Sequence, residues 1–147
     1  MNSVKVSIFT AGFCTCPEHI AIQAGRWRSI RFPAMFALFE HSRYGAMLFD
    51  TGYSYRFFDE TRHFPNRLYR NLTPVTLNEE QLALNQLSAL NLKPSDITKV
   101  FISHFHADHI AALGDFPRAK YVYLPDAFDS VRNLRGLAAL SHAICLD

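Results

Sequence analysis

Apolar and polar residues alternate at the start of the chain. Val4, Val6 and Ile8 interleave with Lys5 and Ser7, the period of two that predicts a half-buried strand over residues 4–9. Residues 11–25 lack that period and read as irregular. Two further strand patterns, residues 35–40 and 46–50, flank the turn-rich segment His41, Ser42, Arg43, Tyr44, Gly45, which predicts a hairpin. Helical spacing follows over residues 54–64 through Tyr55, Phe58 and Thr61, until Pro65 stops it. Thr76 and Glu79 have the separation of a capping box, and Ala83, Leu84, Leu87 and Leu90 mark one face of the helix that comes next.

Beyond a turn at Pro94, Ser95 and Asp96, residues 100–103 are apolar on both faces, as in a strand inside a sheet. Residues 110–113 predict a short helix and residues 121–124 a strand. A last helix is expected over residues 126–140, with Phe128, Val131, Leu134 and Leu137 or Ala138 turned inward. Strands first, then strands and helices in alternation, predict an α/β (α+β) domain in which helices pack on a mixed sheet. No repeat, linker or low-complexity tract divides residues 1–147, so one domain is expected.

With 147 residues, 49% of them hydrophobic, the chain can build one sizeable core. A formal charge of +2 with scattered basic residues lacks the electrostatic footprint of a nucleic-acid binder. No window approaches the roughly 18 consecutive apolar residues of a membrane span. Thr10 and Gly12 interrupt the first apolar stretch early, so it reads as a strand and not as a signal peptide. Cys14, Cys16 and Cys145 cannot all pair within one chain, which fits free thiols, a reducing cytoplasm and a soluble protein.

The chemistry concentrates just after the interior strand. His104, His106, Asp108 and His109 place three imidazoles and one carboxylate within six positions. Imidazole nitrogen and carboxylate oxygen are the donors zinc takes in hydrolytic sites, and a strand running into a tight loop can aim several of them together. Alternation sets His104 and His106 on one side, as ligands of one ion, while Asp108 and His109 turn opposite and can begin the shell of a second. Two ions about 3.5–4 Å apart can share a hydroxide and clamp a substrate oxygen. The pattern points to a two-metal hydrolase.

The segment 104–109 behind its apolar strand, with Asp50, Thr51 and Gly52 ending an earlier strand, resembles the metallo-β-lactamase superfamily of hydrolases. The resemblance implies that His104 and His106 bind one zinc, that Asp108 and His109 bind another, and that Asp108 handles protons during attack by a bridging hydroxide. Asp50 matches the supporting aspartate near the site. The match follows the chain in order of elements as the first half of the family's αββα sandwich, so the C-terminal half is expected to be lacking. Among imidazoles after His109 only His142 is available as a further ligand. Ala111 and Ala112 stand where many members carry glycine.

The implied activity is zinc-dependent opening of an ester, lactone or related bond in a small-molecule substrate, with the apolar Phe105 leaning toward lactonase-type members. The alternative is a truncated or degenerate domain that binds metal weakly and acts through association. The oligomeric state stays open. Arg26, Arg28 and Arg31 beside Trp27 read as a solvated strand face, with recognition of an anionic substrate as the functional reading.

Overall fold

The computed structural model describes residues 3–141, so His142 and Cys145 lie outside the described residues. The opening strand forms and runs on: β1 spans Val4–Pro17 and pairs antiparallel with β2, Ser29–His41. The register shifts between Thr10 and Phe13, a bulge that replaces the irregular stretch expected there. Gly12 makes it possible at φ +79°, because a Cβ at that position would stand 2.8 Å from the Thr76 carbonyl oxygen. The bulge also exchanges the faces of β1. Phe9 and Ala11 face the core before it, Cys14 and Cys16 after it.

The expected hairpin joins β2 to β3, Gly45–Phe49. The helix between Glu18 and Ala21 is α1. Ser54 accepts the Arg56 amide at 3.2 Å and caps α2, Tyr55–Glu60. That helix is shorter than its pattern, and a separate α3, Asn66–Leu72, follows. Thr76 belongs to β4, Val75–Thr76, which pairs with β1. The capping box is made two residues later, where Asn78 and Gln81 bond each other's backbone amides at 3.0 and 3.2 Å. The helix behind it, α4, spans Ala83–Ser88.

The interior strand, β5, starts earlier than expected, at Ile97–Phe101, and runs parallel to both β3 and β6, Lys120–Val122. Helix α5, Ala107–Ile110, begins inside the histidine segment. The long final helix is two, α6, Pro125–Val131, and α7, Gly136–Ser141; Leu137 and Ala138, the alternatives expected inward, are both exposed.

These strands form one mixed sheet in the order β4-β1-β2-β3-β5-β6. One face is covered: Phe36, Leu38, Leu48 and Val100 pack on Ala83 and Leu87 of α4 and on Phe116. Alongside, Ala34 meets Tyr53, Phe57 of α2 and Ala107, while Ile102, Phe105 and Ile110 receive Phe128 and Val131 of α6. Each Val, Leu, Ile or Phe among these contributes about 1.5–3 kcal/mol when fully buried. The other face is apolar and bare among the described residues. Val4, Val6 and Ile8 are 51%, 51% and 66% exposed, and Met35 and Phe49 share that face. The alternation in residues 4–9 thus marks an uncovered surface. Among the described residues, no helix is long and apolar enough to cross a membrane.

Candidate metal centre

Two parallel strand ends build the site. Where β3 stops, Asp50 takes a left-handed turn, φ 58°, and its amide still donates to Phe101 of β5 at 2.8 Å. Its carboxylate is buried yet accepts three hydrogen bonds. Oδ1 accepts the Ser103 amide at 2.8 Å; Oδ2 accepts the Ser103 hydroxyl at 2.7 Å and His109 Nδ1–H at 2.8 Å. Thr51 clamps the same loop, donating through its amide and hydroxyl to the His109 carbonyl at 2.8 and 2.9 Å. Ser54 adds a bond to the Ala111 carbonyl at 2.7 Å. Gly52, at φ +71°, lets this turn press on β1, since a Cβ there would lie 2.3 Å from that of Ala11.

On the β5 side, Phe105 and Ala107 point into the core and leave His104, His106, Asp108 and His109 to gather at the surface end. The ring of His104 lies 3.9 Å from that of His109 and 4.5 Å from that of His106, centre to centre. His109 Nε2 stands 3.3 Å from Asp108 Oδ2. All four donors of the motif therefore meet in one cluster, with His109 rather than His106 the nearer neighbour of His104. Among the described residues, no group of three His, Cys, Asp or Glu side chains is disposed to hold an ion together. Ala111 and Ala112 sit at φ −61° and −98°, which alanine adopts freely, so the loop needs no glycine there.

Hydrogen-bond capacity assigns the ring nitrogens. A carboxylate only accepts, so the Ser103 hydroxyl donates to Asp50, and its oxygen is left to accept from His104 Nδ1–H at 2.9 Å. Both His104 and His109 thus commit Nδ1 to Ser103 and Asp50, while His109 Nε2 faces the Asp108 carboxylate. Burial, then the charges of His109 and His106, lower the pKa of His104, which favours its neutral, ligating form. Burial works against a charged His109 as well, but hydrogen bonds to Asp108 and Asp50 prevail and raise it to about 9. For Asp108, burial favours the acid, yet the His109 contact outweighs it and holds the carboxyl below its ordinary value.

In chemical kind the donors are those zinc takes, imidazole nitrogens and a carboxylate, with one ring oriented by a buried carboxylate behind it. Asp50 was legible as a supporting residue. Ser103 and Thr51 were not, because a lone hydroxyl carries no spacing signal, although Ser103 directly precedes the motif. Elsewhere, Cys14 and Cys16 are free thiols, as expected. Arg28 pairs with Glu18, and Arg31 lies 4.8 Å over the Phe13 ring.

A family model described as the metallo-beta-lactamase superfamily matches residues 37–123. An N-acyl homoserine lactonase, AttM of Agrobacterium fabrum, is 28% identical over 138 residues, covering 87% of this chain and 52% of its own. The chain thus spans about half the length of that curated relative. In fold, it is similar to an N-acyl homoserine lactone hydrolase solved with N-hexanoyl-L-homoserine at its catalytic metal centre. The TM-score is 0.76 at 20% identity, over 92% of this chain and 54% of that one. It is also similar to AidC, a dizinc quorum-quenching lactonase, at TM-score 0.60 and 18% identity, over 90% of this chain and 46% of that one. The motif on its strand end, the half-sheet that carries it and the matched family model agree: the chain belongs to the metallo-β-lactamase superfamily.

Proposed function

We propose that the chain carries the metal-holding half of a zinc-dependent lactonase, with N-acyl homoserine lactones as the substrate class. One observation carries this reading: the rings of His104, His106 and His109 gather beside Asp108 at the strand ends, with Ser103 and Asp50 holding the Nδ1 atoms of His104 and His109. His104 and His106 would hold one zinc, Asp108 and His109 a second. Zinc, when bound, supplies Lewis acidity and an activated water at neutral pH. Asp50 and Ser103 fix the rings, which spares reorganisation during reaction. Asp108 takes the proton from the attacking water as the carbonyl carbon–oxygen bond forms, then delivers it to the ring oxygen as the lactone bond breaks, giving the hydroxy acid. The named activities of the matched relatives favour a lactone over other esters.

The test is ring opening of N-hexanoyl homoserine lactone followed by acid release in zinc-supplemented buffer. The expected result is turnover that falls at least about 100-fold in His106→Ala and Asp108→Ala. Equal rates in wild type and both variants would move the chemistry elsewhere.

A second reading has one observation in its favour. The bare apolar sheet face favours a domain that associates with another polypeptide and binds metal weakly, without turnover. Metal-independent association with no lactone opening would select it.

A further inference from the structure

Helix α3 is tied to the fold through one ring. Tyr69 meets Phe57 of α2 edge-on, with centroids 5.8 Å apart, and packs on the cluster that contains Tyr53 and Ala107. That anchor fixes where the other faces of the helix stand. Arg67, Arg70 and Asn71 are three and four positions apart, so they share one face. Arg62 reaches the same place from the turn after α2. With Phe58 and Asp59 these residues line one polar cleft between α2 and α3.

The charges of the cleft do not balance. The Arg70 guanidinium lies over the Phe58 ring, 5.4 Å from its centroid, a placement that orders a long side chain. Arg62 stands 3.4 Å from Asp59, and both side chains are 69% exposed, so that pair is weak. Among the lining residues three guanidiniums therefore face one carboxylate, an excess of two positive charges. Guanidinium forks match the oxygens of phosphate and carboxylate, and bonds between ionised partners are about twice as strong as neutral ones. A carboxylate brings two oxygens in one plane and a single charge. A phosphate monoester brings three acceptor oxygens and nearly two charges, which suits three forks that arrive from a helix face and a separate turn.

We propose that the cleft between α2 and α3 is a binding site for the phosphate monoester dianion of a small soluble molecule, held by Arg62, Arg67 and Arg70. The site shares no residue with the histidine–aspartate cluster and needs no metal.

Titration of the chelator-treated full chain with glycerol 3-phosphate at constant ionic strength, followed by the arginine Nε–H resonances, tests it. Saturable displacement of the Arg67 and Arg70 signals is expected, with acetate binding at least about 10-fold more weakly. Arg67→Gln and Arg70→Gln should each weaken phosphate binding about 10-fold or more, since each removes a charge-assisted bond. Asp59→Asn should tighten it, because the one opposing charge is gone. Arg43→Gln, in the turn between β2 and β3, should leave it unchanged. All four side chains are exposed, so the thermal midpoint should hold in every variant. Acetate binding as tightly as the phosphate ester would overturn the proposal, and so would equal affinity in wild type and both cleft-arginine variants. Retention on phosphatidic acid vesicles without any response to glycerol 3-phosphate would overturn it in favour of a membrane surface.

Discussion

Asp50 holds three hydrogen-bond donors on one buried carboxylate and stands on a backbone angle that asparagine and aspartate tolerate better than other side chains. Its main dependent is His109, whose proton it shares responsibility for with Asp108. Unfolded, that imidazole has a pKa near 6.5; folded, it is raised to about 9. The native state therefore binds the proton more tightly, and the stability this adds is whole below about pH 6.5 and is lost as pH rises through about 9. His104, lowered by burial, opposes only at the acid end. In chelator-treated protein the thermal midpoint should fall between pH 6.5 and 9, and His109→Gln should flatten that fall. A midpoint that rises over the same range would contradict the assignment. At this scale the motif was readable because its four donors fall within six consecutive positions. The contacts of Ser103, Thr51 and Tyr53 join segments about fifty residues apart, and no local pattern announces them.

At the scale of elements, period and punctuation located the hairpin, α4 and the interior strand. Where they failed, one physical cause recurs: tertiary contacts decided between local alternatives. The bulge at Thr10/Phe13 exchanges the faces of β1, so continuous strand looks aperiodic in sequence. Thr76 met the spacing of a cap but was claimed by pairing with Phe13, leaving Asn78 and Gln81 to form the box. Residues 126–140 share a single apolar stripe, yet the chain breaks after Val131 and resumes at Gly136, whose φ of +56° is foreign to a helix. The turn after β3 is the element on which the site depends most. Gly52→Ala would set one Cβ 2.3 Å from another at a left-handed angle. It should destabilise the chain by at least about 2 kcal/mol in urea unfolding, combining strain with overpacking. Unchanged unfolding would show that β1 yields there at little cost.

Across the whole molecule, the class of fold was legible and the covered face was not. Both faces of β2 and β3 carry apolar residues, Phe36 and Leu38 on one, Met35 and Phe39 on the other, so alternation alone cannot say which meets the helices. The helices take one face, and the other remains bare among the described residues. The histidine–aspartate cluster sits at the ends of β3 and β5, held by contacts within the matched family region. On the reading proposed above, these contacts suffice to gather His104, His106, Asp108 and His109 around zinc. Zinc content after equilibrium dialysis of the chain, measured beside a His104→Ala/His106→Ala double variant, is the decisive experiment. At least about one tightly held ion per wild-type chain is expected, with most of it lost in the variant; equal zinc in the two proteins, or none in either, would refute the metal reading.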